Sequence, residues 1–97
     1  MRVAALRVEL HLPNPQSLKE KRASLRPALE GLKKMGSYSV AEVGHHDDWQ
    51  LATIGIAIVA PDGTGLNMHI NKIRNYLDSR LEIEVLDVFV GEMEKPE

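Results

Sequence analysis

His45, His46, Asp47, Asp48, Trp49 and Gln50 follow one another between two apolar runs, and they bring imidazole, carboxylate, indole and amide groups into six positions. Two of these side chains, joined by His11 or Glu42, would suffice for a metal site. Four adjacent residues cannot all turn to one ion, because neighbouring side chains diverge. The competing role is turn capping, in which Asp side chains accept from nearby backbone amides. Trp49 is the only Trp of the chain. A Trp in a polar turn is costly to expose, so it either plugs a core or forms a binding surface.

Other reactive groups are less organised. Ser17, Ser24, Ser37, Ser39 and Ser79 read as cap, helix surface, strand and turn, and none stands in a nucleophile-elbow context. The pairs Asp47/Asp48 and Glu82/Glu84 would need desolvation to do acid–base work, and nothing around them indicates it. Gly63-Thr64-Gly65 falls far short of a phosphate-loop pattern. With no Cys there is no thiolate nucleophile, no disulfide and no thiolate metal site. We assign no catalytic residue, no metal ligand and no cofactor.

Charge divides the 97 residues unevenly. Residues 1–36 carry eight Lys/Arg against three Asp/Glu, a net +5; residues 37–97 carry four against eleven, a net −7. Half of the twelve basic residues lie between Lys19 and Lys34. A basic face on an acidic molecule permits binding to nucleic acid or an acidic partner. Arg7 interrupts the first apolar run, so that run fails as a secretory signal, and nothing reaches the ~18 apolar residues of a membrane span. The expectation is a cytoplasmic protein with no membrane partner.

These groups need a frame. Val3–Leu12 alternates, with Leu6, Val8, Leu10 and Leu12 on one face, until Pro13 and Pro15 end the strand. Ser17-Leu18-Lys19-Glu20 reads as a capping box, in which Glu20 reaches back to the Ser17 amide. The helix that follows carries Leu18, Leu25, Leu29 and Leu32 on one stripe and a Pro at position 27 that should bend it. Ser37–Gly44 reads as a second strand. Placing Glu42 in water puts Tyr38 and Val40 beside it and turns Ser39, Ala41 and Val43 to the helices. Leu51–Ala60 is a third strand with Ile54, Ile56 and Ile58 inward. Leu66, Ile70, Ile73 and Leu77 mark a second helix, and Glu82–Glu92 a last strand with Leu86, Val88 and Val90 on one face. Residues 1–92 form one domain, and residues 93–97 a frayed tail.

Strand, helix, strand, strand, helix, strand is the α+β ferredoxin-like βαββαβ plan. Right-handed crossovers put two helices on one face of a four-stranded antiparallel sheet. The expected open face holds Arg7, Glu9, His11, Tyr38, Val40, Glu42, Thr53, Ala57, Val59, Val85, Asp87 and Phe89. This half-apolar mixture suggests self-association through the open face or an edge. RNA-recognition motifs share the topology but stack bases on aromatics of the first and third strands, which are absent here. The remaining RNA route is the basic first helix, with Trp49 available for stacking.

Ser17-Leu18-Lys19-Glu20-Lys21-Arg22, and Val40-Ala41-Glu42-Val43 followed by His45, Asp47, Trp49, Gln50 and Ala52, resemble the YlxP-like family of small bacterial proteins. The resemblance runs from the first strand to Val90. It implies a ferredoxin-like fold, a bacterial cytoplasmic setting and genes placed among translation and ribosome-maturation factors, but no established reaction. The residues it singles out are Ser17, Leu18, Lys19, Lys21, Arg22, Glu42, Asp47, Trp49 and Gln50. Leu51 and Asp48 depart from its pattern and make the hairpin less cationic. The reading that follows is a non-enzymatic binding module acting near RNA or the ribosome. Its candidate binding residues are Lys19, Lys21, Arg22, Arg26, His45, Asp47, Trp49 and Gln50. Rival readings are a ligand-sensing regulatory domain at a dimer interface and a metal-dependent enzyme at the 45–50 hairpin.

Overall fold

The computed structural model describes residues 1–93. Its elements are β1 (Arg2–His11), α1 (Leu18–Met35), β2 (Ser39–Gly44), β3 (Leu51–Ala60), α2 (Gly63–Ser79) and β4 (Glu84–Met93). All strand pairings are antiparallel, and the strands lie in the order β2-β3-β1-β4. This is the ferredoxin-like topology. The alternation in β1 and β3 dictates the layering. Ala4, Leu6, Val8 and Leu10 of β1 and Ala52, Ile54, Ile56 and Ile58 of β3 are buried, and they meet Leu25, Ala28 and Leu32 of α1 and Leu66, Ile70, Ile73 and Leu77 of α2. Each such Leu or Ile contributes roughly 1.5–3 kcal/mol by leaving water.

Local signals set the helix limits. Ser17 Oγ accepts from the Glu20 amide at 3.1 Å. Glu20 reaches back one residue further than a capping box requires, and its Oε1 accepts from the Gln16 amide at 3.2 Å. Asp62 caps α2 by accepting from the Gly65 amide at 2.8 Å. α1 continues through Pro27 as one helix. Pro27 is exposed, and its missing N–H leaves the Ala23 carbonyl without a helical partner. The buried stripe of α1 is Lys21, Leu25, Ala28 and Leu32, while Leu18 and Leu29 are only half-buried.

Three sequence expectations are corrected. β2 is inverted: Tyr38, Val40 and Glu42 face the helices, and Ser39, Ala41 and Val43 lie on the open face. The premise that Glu42 seeks water fails because Lys21 of α1 reaches it. Val85 also faces inward. Leu10 pairs with Val85 and Glu9 with Asp87, so Leu86 is an extra residue that reverses the alternation of β4 at that point. Met93 pairs with Val3 and ends β4, so the strand outlasts residue 92; residues 94–97 lie outside the described residues.

The two helices meet closely at Gly31. Tyr76 of α2 donates its hydroxyl to the Ala28 carbonyl at 2.9 Å, and a Cβ on Gly31 would overlap that hydroxyl. In an ordinary helix interior Gly→Ala stabilises by up to ~1 kcal/mol. Here overpacking reverses the sign: Gly31→Ala should destabilise by about 1–3 kcal/mol in a urea melt. A neutral or stabilising result would mean that Tyr76 does not occupy this notch.

Candidate functional site

The 45–50 segment joins β2 to β3 beside the N-terminal part of α1, and a single ammonium ties it down. Lys21 lies on the inward stripe of α1 with a relative exposure of 2%. Its Nζ donates to the His45 carbonyl at 2.6 Å and sits 2.9 Å from Glu42 Oε2. The carboxylate contact is an ion pair without hydrogen-bond alignment, and the short bond goes to the carbonyl. Withdrawing an ammonium from water costs several kcal/mol, so both contacts are needed to offset it. His45 itself takes a left-handed backbone conformation, φ 58°. That turn aims its carbonyl at Lys21.

Asp48 fixes the rest of the turn. Its Oδ1 accepts from the Gln50 amide at 3.0 Å and the Leu51 amide at 3.1 Å, while its own amide donates to the His45 carbonyl at 3.1 Å. The Gln50 amide is the main cause that holds the Asp48 carboxyl below the usual carboxylate range; the Leu51 amide and the charges of His45 and Lys21 add to it, and desolvation opposes them. Gln50 bridges to the next segment. Its Nε2 donates to the Pro13 and Pro15 carbonyls at 3.2 and 3.1 Å, and its backbone carbonyl accepts from Leu12 at 2.8 Å. His46 Nε2 lies 3.1 Å from the Glu42 carbonyl. Proline-rich chain has few donors of its own, so an amide side chain that supplies two is an apt clamp.

The candidate residues therefore separate. Lys21 and Gln50 are occupied within the fold. Lys21 departs from the phosphate-contacting role expected of it, because its ammonium does not reach solvent. His45 turns its ring over the open sheet face, with Nε2 3.9 Å from Glu9 Oε2. Glu9 also accepts from the Thr53 hydroxyl at 2.7 Å. Trp49 is 52% exposed and borders a shallow pocket with Asp47, Asp48 and Gln50, so it does not plug the core. Among the described residues, no three His, Asp or Glu side chains gather as metal ligands would. Asp48 takes the turn-capping role that the sequence offered for these carboxylates, whereas sequence reasoning missed Glu42 as the half-buried partner of Lys21 and missed Lys21 as buried. Lys21 was detectable: Leu18, Lys21, Leu25, Ala28 and Leu32 follow a three-four-three-four spacing that places Lys21 on the inward stripe.

Lys19, Arg22 and Arg26 remain in water, and none of them makes an ion pair among the described residues. Lys33 lies 3.7 Å from Glu30. Arg22, Arg26 and Lys33 border a cleft between α1 and the β2 edge, about 210 Å³ in volume, which Leu25, Leu29, Glu30 and Glu42 complete. No helix of the described residues is long and apolar enough to cross a membrane.

This architecture is that of the ferredoxin-like proteins. It is similar to the designed protein Foldit4 (14% identity, TM-score 0.54, covering 97% of this chain and 99% of that one). It is also similar to the designed ferredoxin-fold protein LFR1 1 (9%, 0.53, 100% and 88%) and to an antibiotic biosynthesis monooxygenase (13%, 0.51, 100% of each). At these identities the likeness is one of fold alone. The sequence is more specific. Residues 3–90 match the family described as "Protein of unknown function (DUF503)", and the chain belongs to that family. It is 35% identical over 68 residues to the uncharacterized protein YlxP of Bacillus subtilis (strain 168), covering 70% of this chain and 74% of that protein.

Two measurements check the tie. Lys21→Ala leaves the Glu42 carboxylate without its cation and the His45 carbonyl with the Asp48 amide alone, and should cost about 2–4 kcal/mol in chemical denaturation, whereas Arg22→Ala on the same helix should cost under about 0.5 kcal/mol. Asp48 titrates at lower pH in the folded chain than in the unfolded one. Its contribution is therefore present above the unfolded value near 4 and is lost as pH falls through the folded value. Asp48→Asn keeps an acceptor for both amides, so acid titration of stability should show a smaller loss below pH ~4 in that variant than in the wild type.

Proposed function

We propose that this protein is a non-enzymatic module that binds RNA, on the ribosome or free, through the solvated cations of α1. The observation that carries the proposal is that Lys19, Arg22 and Arg26 are exposed and, among the described residues, without acidic partners on an otherwise acidic molecule. At 100° per residue, positions 19, 22, 26 and 33 fall within an arc of about 60°, and at 1.5 Å per residue they span about 21 Å. A straight line of cations suits a phosphate backbone, where each contact releases counterions. The cleft beside Arg22 and Arg26 has apolar walls in Leu25 and Leu29 that would take the face of an unstacked base. Trp49 offers a second exposed ring at the hairpin. Lys21 is excluded from this surface by its burial, so it is the wrong residue with which to test it.

The test is co-sedimentation with ribosomes and separated subunits across a salt series, with anisotropy on a single-stranded RNA in parallel. Binding should fade steeply as salt rises. The double variant Arg22→Ala/Arg26→Ala should keep its fold, weaken binding at low salt and reduce the log–log salt slope by about 1.4 to 1.8. Absence of binding at every salt, or a double variant with wild-type affinity and slope, would overturn the proposal.

A further inference from the structure

The face of the sheet away from the helices is uncovered, and its strand register arranges large and small side chains in an ordered way. Across the third row, from β4 to β2, stand Phe89, Arg7, Gly55 and Ala41. The row above holds Gly91, Ala5, Ala57 and Ser39. The β4/β1 half of the third row is a ridge: the Arg7 guanidinium lies over the Phe89 ring, 4.6 Å from its centroid, and Phe89 is 45% exposed. The β3/β2 half is a trough of small residues, Ala41, Gly55 and Ala57, closed on one side by the Val43 side chain, which leans over Gly55.

We infer that this face is the self-association surface of the protein and that its occupant is a second copy of the same chain, related by a two-fold axis running parallel to the strands between β1 and β3. That operation lays β4 of one copy over β2 of the other and keeps each row opposite itself. The Phe89–Arg7 ridge of each copy then enters the Ala41–Gly55 trough of its partner, and the contact is made twice, as an isologous interface requires. The same operation brings Asp87 and Glu84, at one end of β4, over the end of β2 that leads into His45, whose Nε2 lies 3.9 Å from Glu9 on this face. At the other end Val3, Val59 and Met93 carry no charge, and Val59 and Met93 are 63% and 62% exposed. The area also fits. Strands of ten residues, with the shorter β2, present roughly 600 Å² per copy at the usual strand spacing, or about 1,200 Å² in the pair, the lower bound of a stable specific interface. Aligned sheet packing adds a rotation of about 30°, which leaves the central rows in contact. The surface lies on the opposite side of the sheet from α1, so it is independent of RNA binding.

Sedimentation equilibrium of the full chain over a concentration series decides it. The wild type should run at twice its 10.8 kDa mass. Phe89→Ala should weaken the dimer at least tenfold, and Ala41→Phe, which fills the trough, should do the same. Both residues are exposed in one copy, so circular dichroism should show both variants folded. The chain carrying Phe89→Ala and Ala41→Phe together exchanges ridge and trough and should recover dimerisation. A wild type that is monomeric up to about 0.2 mM would overturn the inference. So would a dimer indifferent to both single variants, which would assign the contact to the β4 or β2 edge instead.

Discussion

Lys21 is the cation that α1 turns inward, and the geometry of the β2 edge follows from where its ammonium goes. A buried ammonium needs acceptors on the element it faces. β2 supplies them by turning Glu42 toward the helices and by ending in a left-handed His45 whose carbonyl points at Nζ. Once Glu42 faces inward, strand alternation carries Val40 and Tyr38 with it, and Ser39 and Ala41 are left on the open face. One ion pair thus fixes which side of the edge strand meets the core. Its net contribution to stability is small, because desolvation cancels most of the attraction. Its contribution to uniqueness is larger: a one-residue slip of β2 would bring an apolar residue to Lys21 and leave a charge unpaired.

The fold was legible where apolar periodicity was strong. β1, β3 and α2 carry unbroken two-residue or three-four repeats, and their inward residues are those the pattern names. Legibility failed at two bulges and one ion pair. Leu86 is indistinguishable by type from an inward strand residue, yet it is the inserted position that resets β4. Val43 occupies the equivalent position in β2, between Glu42 paired to Ile54 and Gly44 paired to Thr53. Bulges are set by pairing across the sheet, which no single strand encodes. Lys21 is the instructive case. Charge argued for solvent, helical spacing argued for burial, and spacing decided the outcome because the partner carboxylate was available.

The site was less legible than the fold because two kinds of residue look alike in sequence. Gln50 and Asp48 are polar loop residues, as are Asp47 and His46. Only three-dimensional proximity separates those with internal partners from those without. Gln50 is consumed by the carbonyls of Pro13 and Pro15, which lie 37 and 35 residues away in the chain. Asp48 is consumed by local amides, as Asp in turns often is. Subtracting these clamps leaves Trp49 and Asp47 at the hairpin and Lys19, Arg22 and Arg26 on α1 as the groups without partners among the described residues. The reduction explains why the hairpin reads as crowded with chemistry in sequence and is mostly structural bracing in space.

The sheet acts as a partition between two surfaces of opposite character. On the helix side the exposed groups of α1 are long, flexible and cationic, which suits contacts that form and break with salt. On the open side the central rows are mostly short and held by the strands, Ala, Gly and Val with one Phe whose ring is pinned under Arg7, and Glu9 and Asp87 follow in the next row. Ordering such residues costs little side-chain entropy, which suits a fixed shape fit. The Lys21 tie touches both surfaces. It keeps Arg22, one residue on, at the rim of the cleft, and by inverting β2 it delivers Ala41 rather than Val40 to the open face. A bulkier residue in that row would fill the trough opposite Phe89. The burial of a single lysine therefore shapes the side of the sheet that it never reaches.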